Sequence, residues 1–455
     1  MRRHVLFGRF GDTDRADVPV ARTETATAIQ LLDIHGTLDH GVGRALRDLA
    51  RLGIHPTDTG LDLMLLALHV HAADTKLSRR LESQDSWTRE IRLVVPVSDE
   101  QLWTSTAPTL TRALDFLTGD HWTIHFRPRT SGTRPRPAPR QATLMRPEYD
   151  EVSLFSGGLD SLIGAIDTLS ADRTPLLVSH TGDGATSEAQ WHCYRTLRDH
   201  FADNPLNRLR LWMTLPKIKI EGSAREKTTR GRSFLFFATA AFAASGLTQP
   251  VTIRVPENGF ISLNVALDPL RLGSHSTRTT HPFYIARWNE LLTQLCIPAV
   301  LHNPYWNKTK GEMAAQCADP ALLQTLIPTS LSCASPNKGR WKGTAIRHCG
   351  YCLPCLVRRA ALAHTPPLRD TTEYAIADLT ERPLSSTTAE GQQIRSLQYA
   401  LARLAAKPHR AAIAIHRHGS LADVTPTDQH ELAQVHLRGM DELGRILHGV
   451  RTRPE

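Results

Sequence analysis

Two stretches of this sequence carry residue types at spacings that can do chemistry. The first is Ser156-Gly157-Gly158-Leu159-Asp160-Ser161, set between the apolar residues Val152, Leu154 and Phe155 and a second apolar run, Leu162, Ile163 and Ala165. A short strand, a glycine pair and a helix start describe an anion site, because the free N–H groups of the first helical turn and the helix dipole both favour a negative ligand. Gly157 and Gly158 let the backbone approach phosphate oxygens with no Cβ in the way. Ser156 and Ser161 add hydroxyl donors. Asp160 repels phosphate, so its expected task is to orient the loop or to help hold a magnesium ion.

The second stretch places Cys333, Cys349, Cys352 and Cys355 in a C-x15-C-x2-C-x2-C pattern. Four thiolates can close a tetrahedral zinc knuckle over residues 333–355, and an iron–sulfur cluster uses the same ligand type. Zinc is the expected ion, since a closed structural knuckle needs no redox partner. Cys193, Cys296 and Cys317 stand singly and read as packing residues. Clustered cysteines suit a reducing compartment better than a disulfide framework. The most apolar run, 234–244, is too short to span a bilayer, and no apolar segment follows the basic start, so a cytoplasmic location without membrane contact is expected.

These residues need elements to position them, and 455 residues with 41% apolar and 22% charged content describe a folded chain large enough for two or three cores. Residues 1–126 read as an α+β accessory domain, with strands at 4–10, 91–97 and 122–126 and helices at 61–73 and 109–117. Residues 127–148 are rich in Pro and Arg and read as a solvated linker. From 149 onward helices at 161–170, 187–201 and 233–244 alternate with strands at 175–180, 208–213 and 250–255. That alternation predicts an α/β fold with a doubly wound parallel sheet. Ligands of such sheets lie beyond the carboxyl ends of the strands, where Ser156, His180 and Glu257 fall. Residues 365–455 read as a helical extension, with apolar residues at helical spacing over 387–406 and 427–448. The formal charge of +9 is scattered over Arg-rich positions and makes no specific case for a nucleic-acid partner. His69 and His71 are two apart on a helix, which points them to different faces and away from a shared metal.

Two basic residues open helices near the strand ends. Arg232 begins the 233–244 helix and is a candidate for binding phosphate or developing charge; Lys310, in Asn307-Lys308-Thr309-Lys310-Gly311-Glu312, begins another and can reach toward phosphates. At this point the loop resembles the SGGxDS signature of the ATP pyrophosphatases, whose phosphate loop lacks the Walker lysine. The resemblance implies cleavage of ATP to AMP and pyrophosphate, with a carboxylate or carbonyl oxygen activated as its adenylate. It also implies that His180 lies where adenine or ribose is held.

The loop followed by the cysteine pattern narrows the resemblance to the 7-cyano-7-deazaguanine synthase (QueC-like) family over residues 149–364, supported by TTRGRSFLFFATAAFAA from Thr228 and NKTKGEM from Asn307. It implies ATP, Mg2+ and Zn2+, and roles in catalysis for Asp160, Arg232 and Lys310. It also implies adenylation of 7-carboxy-7-deazaguanine, attack by an amine to give an amide and, in the synthase, dehydration to a nitrile with a second ATP. The family's substrate loop is replaced here by residues 255–264 and 271–282, which makes Glu257, Asn258, Arg278 and His281 the expected substrate-side residues, with Glu257 or His281 as proton acceptor. The added N-terminal domain and tail resemble the QueC-like proteins of Qat anti-phage defence systems. That layout implies transfer of a deazaguanine to an amine of a partner protein from the same defence operon. An α-amino group, with a pKa of about 8 against about 10.4 for Lys, is the better nucleophile near neutrality. The alternatives are a free nitrile synthase that uses ammonia for nucleoside modification, and a non-catalytic nucleotide-binding scaffold of a defence complex.

Overall fold

The computed structural model describes residues 3–83, 85–129, 148–226, 228–265, 278–337, 343, 347–363 and 365–454. The chain begins with β1 (Arg3–Arg9), β2 (Glu24–Gln30), α1 (Val42–Arg51), α2 (Asp58–Lys76), α3 (Arg79–Glu82), β3 (Glu90–Val97), α4 (Glu100–Thr118) and β4 (His121–Pro128). Its four strands are all parallel, in the order β2-β1-β3-β4. This region is therefore α/β and not the α+β arrangement expected from sequence. The deciding strand, β2, sits at an edge with only Ile29 buried, so its sequence carries no apolar alternation. β4 continues through Arg127 and Pro128, which makes the first residues of the expected linker part of the sheet; 130–147 lie outside the described residues.

The second sheet follows the expected alternation: β5 (Glu151–Leu154), α5 (Leu159–Ser170), β6 (Pro175–His180), α6 (Gly184–His200), β7 (Asn207–Leu211), α7 (Arg232–Ala244), β8 (Val251–Arg254), α8 (Gly259–Ser262), α9 (Pro282–Gln294) and β9 (Ala299–His302). These five strands are parallel, in the order β7-β6-β5-β8-β9. Strand faces alternate as pleating requires: Leu177 joins the core under α5 and α6, whereas Leu176 and Val178 join the core under α7 and α9. The strand order reverses between β5 and β8, so the loops after these two strands diverge and leave a crevice.

The remainder is helical: α10 (Lys310–Ala315), α11 (Pro320–Leu326), α12 (Leu353–Ala363), α13 (Ala389–Ala406), α14 (Ala411–Ala414) and α15 (Pro426–Ile446). A two-residue parallel pair, Leu384–Ser385 with Thr452–Arg453, ties the end of the chain back to the start of α13. None of the helices among the described residues is long and apolar enough to cross a membrane.

The N-terminal region is not an appendage. Leu63, Met64, Leu65 and Leu66 of α2 are each at most 1% exposed, a burial on all sides that a helix reaches only when enclosed by protein. α2 packs on α7, and one continuous apolar core runs from Leu6 in β1 to Leu301 in β9. Each such Leu contributes about 1.5–3 kcal/mol. The start of α7, which carries Arg232, is thus held from the N-terminal side.

Candidate functional site

The loop after β5 is shaped by a glycine that no other residue could replace without strain. Gly157 has φ +80°, and a Cβ on it would come within 3.0 Å of Gln190 Cγ and 3.1 Å of Gln190 N. Gln190 in α6, which nothing in the sequence marked, donates from Nε2 to the carbonyls of Ser156 and His180, each at 3.2 Å, and so ties the ends of β5 and β6 together. On the other side the Leu331 N–H donates to Gly157 O at 2.8 Å. Ser156 Oγ and Ser161 Oγ lie 3.1 Å apart, and Gly158 N–H points at Ser156 Oγ at 3.3 Å.

Asp160 and Lys310 come together. Lys310 Nζ sits 2.6 Å from Asp160 Oδ1, with both side chains largely buried. Asn258 donates to Asp160 Oδ2 from Nδ2 at 2.7 Å and from its backbone N–H at 3.2 Å, while its own Oδ1 accepts from Ile261 N–H at the start of α8. Asp160 therefore joins the Ser156–Ser161 loop to the turns that open α8 and α10. Lys310 is held at the loop by its charge partner, and Asn258 works on Asp160 from behind the cavity wall.

Glu257 follows β8 and is half-buried, its open surface facing the cavity. Desolvation pushes its carboxyl up to about 7; the Asp160 charge adds to this, while the Thr280 hydroxyl and Lys310 oppose it. Thr280 Oγ1 donates to Oε2. The backbone is fixed by Asn303, whose Nδ2 donates to Glu257 O at 2.7 Å.

Two adjoining cavities open here, about 690 Å³ and 250 Å³, a size suited to a nucleotide and a small substrate. Ser156, Ser161 and Glu257 line both; Arg232 and Gln393 line the larger, and Asp160 and Lys310 the smaller. No carboxylate lies within ion-pairing distance of Arg232 among the described residues, and burial lowers its pKa with Asp183 opposing. A guanidinium with no direct ion pair among the described residues, at a cavity wall and beside a helix N-terminus, suits an anionic ligand.

Three expected residues lie elsewhere. His180 is 5% exposed and lines neither cavity; its ring meets His71 at 5.8 Å and Phe236 at 5.6 Å, and burial pushes its pKa down to about 3. Arg278 lies over Phe116 and donates to its carbonyl at 2.6 Å, an anchor to α4. His281 accepts from Phe283 N–H at 3.2 Å as the cap of α9, with burial pushing it down to about 3. Of the two expected proton acceptors, only Glu257 opens on the cavity.

Both flanking regions reach the site. On the N-terminal side, Asp74 accepts from the backbone N–H groups of Arg230 at 3.2 Å and Gly231 at 2.8 Å, fixing the turn before Arg232. Arg89 and Arg79 both bond Asp120, and the Arg230 guanidinium stacks on Trp87 at 3.8 Å. Asp74, Trp87 and Arg89 had no motif to mark them; only the fold brings them together. On the C-terminal side, Glu442 of α15 accepts from Thr309 Oγ1, and Arg438 pairs with Glu312 at 2.7 Å. Gly311 is what lets them meet, since a Cβ there would stand 2.6 Å from Glu442 Oε1.

The cysteines of the second motif converge as expected. The sulfurs of Cys333, Cys349, Cys352 and Cys355 lie within 4.8 Å of one another, with Cys333–Cys352 and Cys349–Cys355 both at 3.9 Å. One tetrahedral zinc with bonds of about 2.3 Å puts its sulfurs about 3.8 Å apart. An iron–sulfur cluster interposes several irons and sulfides and needs its cysteines farther apart. The donor set fits a single metal ion. Backbone N–H groups of Cys352 and Ser335 point at Cys349 Sγ and Cys333 Sγ at 3.3 and 3.4 Å, the usual support of metal thiolates. Cys333 and Cys352 also form part of the wall of the larger cavity. No family model, no curated protein and no solved structure matches this chain.

Proposed function

We propose that this chain is an ATP-dependent ligase of the 7-cyano-7-deazaguanine synthase type, which adenylates the carboxylate of 7-carboxy-7-deazaguanine and passes the acyl group to an amine of a partner protein in anti-phage defence. The observation that carries the reading is the Ser156–Ser161 loop: it lies at the point where the sheet order reverses, is held at positive φ by Gly157, and opens on the cavity that Arg232 faces. A loop of this form, with no Walker lysine, receives the β- and γ-phosphates as a leaving pyrophosphate. Arg232 and the start of α7 bear on the charge that develops as the α-phosphate is attacked. Mg2+ accompanies the nucleotide. Zn2+ on Cys333, Cys349, Cys352 and Cys355 is structural, keeping one wall of the cavity in place.

The partner protein follows from how much of the molecule lies beyond the catalytic sheet, and Gln393 of α13 reaches the cavity from the tail. Positioning an amine at the adenylate replaces a high concentration of free ammonia. The test supplies ATP, 7-carboxy-7-deazaguanine and either ammonium or a purified protein encoded beside this chain. Intact-mass spectrometry should find the acyl deazaguanine added to that protein, and elemental analysis should find one zinc per chain. Efficient nitrile formation from ammonium with no adduct would overturn the protein acceptor, and iron with visible absorbance would overturn the zinc.

A further inference from the structure

We infer that Glu257 is the proton acceptor for the amine that attacks the activated acyl group, an assignment that rests on the ligase reading above. The cavity walls leave little choice. Among the described residues lining the two cavities, the carboxylates are Asp160 and Glu257, and no histidine is present. Asp160 is engaged on both oxygens, its charge paired with Lys310 at 2.6 Å on Oδ1 and its Oδ2 accepting from Asn258 at 2.7 Å, so its charge is already committed. Among the described residues Glu257 carries one side-chain donor, Thr280 on Oε2, and its position borders both cavities, between the Ser156–Ser161 loop and the larger chamber through which an acceptor would enter.

Three groups set its charge. Asp160 from α5 opposes ionisation, and Lys310 from α10 and the Thr280 hydroxyl before α9 favour it. Against desolvation the balance leaves the carboxyl titrating at about 7, so it is ionised in a useful fraction at neutral pH and is still basic enough to take a proton. Its backbone cannot drift, because Asn303 donates to Glu257 O at 2.7 Å and Thr280 is itself held by Ser262 at 2.7 Å.

The step balances. The nitrogen lone pair forms the C–N bond at the acyl carbon, the C–O bond to AMP breaks with its electron pair leaving on the phosphate oxygen, and the proton lost by the nitrogen passes to the Glu257 carboxylate. The product is a neutral amide only once the nitrogen has given up that proton, and a positioned carboxylate takes it as the C–N bond forms.

Glu257→Gln keeps the shape and the Thr280 contact and removes the base. The experiment measures, in the full chain, ATP–pyrophosphate exchange dependent on 7-carboxy-7-deazaguanine, transfer to the acceptor amine, and transfer to hydroxylamine, a weakly basic nucleophile that attacks adenylates unaided. The expected result is exchange within a few-fold of wild type, amine transfer lowered about 10²–10⁴-fold, and hydroxylamine transfer preserved. Wild-type amine transfer should also show a rise with pH centred on about 7, a step the variant lacks, on top of the rise that both share as the amine itself loses its proton. Amine transfer at the wild-type rate in Glu257→Gln, or loss of exchange together with transfer, would overturn the assignment while leaving adenylation standing. Absence of exchange in the wild type would overturn both.

Discussion

On the N-terminal side the turn that carries Arg232 is fixed by backbone hydrogen bonds to Asp74, a fully buried carboxylate, whereas on the C-terminal side the turn that carries Lys310 is fixed by side chains of α15 that stay within reach of water. The first attachment belongs to the main core: α2, which bears Asp74, shares its apolar surface with α7. The second belongs to a separate, smaller core joining α12, α13 and α15 around Phe260. The N-terminal region is therefore a structural half of the site, and the C-terminal extension frames Lys310 and adds Gln393 to the cavity wall. The difference teaches that the two regions flanking the second sheet should fail in different ways when they are cut loose.

Asp74→Ala should have the largest effect. It leaves the N–H groups of Arg230 and Gly231 without their acceptor and removes a charge partner of Arg89, all of them buried. Breaking a buried ionic network from one side costs about 3–5 kcal/mol. Thermal unfolding should show a much lower Tm in a single transition, because both sheets share one core. Two separate transitions would break the comparison.

Glu442→Ala should cost less, about 1–3 kcal/mol, as Thr309 loses its acceptor in a partly buried place. Its mark should be kinetic: Lys310 opens α10, and loosening that turn should lower kcat with little change in the unfolding of the main sheet. Arg438→Ala should do least. Arg438 and Glu312 are 38% and 32% exposed, so solvent screens the pair and the loss should stay below about 1 kcal/mol and vanish at high salt.

Much of this was readable from the chain and some was not, for physical reasons. The Ser156–Ser161 loop, the four cysteines and the strands β5, β6 and β8 stood out because strong local patterns and tertiary structure agree there. The parallel course of the N-terminal sheet was hidden in β2, an exposed edge strand of Thr and Ala. The Asp160–Lys310 pair spans 150 residues of sequence, and the Asp74–Gly231 contact spans 157, so no local spacing could announce either. Arg278 and His281 were placed by proximity to an altered segment, yet their side chains turn to Phe116 and to the α9 cap. Glu257 was one of two expected acceptors, and what separates it from His281 is the direction each faces, a tertiary fact.

The most direct test is the fate of the nucleotide. The full chain is given ATP, Mg2+ and 7-carboxy-7-deazaguanine with an acceptor amine, and the phosphorus-containing products are followed by 31P NMR. Cleavage between the α- and β-phosphates should yield AMP and pyrophosphate in equal amounts, dependent on the carboxylate and abolished in Asp160→Ala. ADP and orthophosphate as the products, or ATP turnover at the same rate without the carboxylate, would contradict the assignment of the Ser156–Ser161 loop as a pyrophosphate cradle.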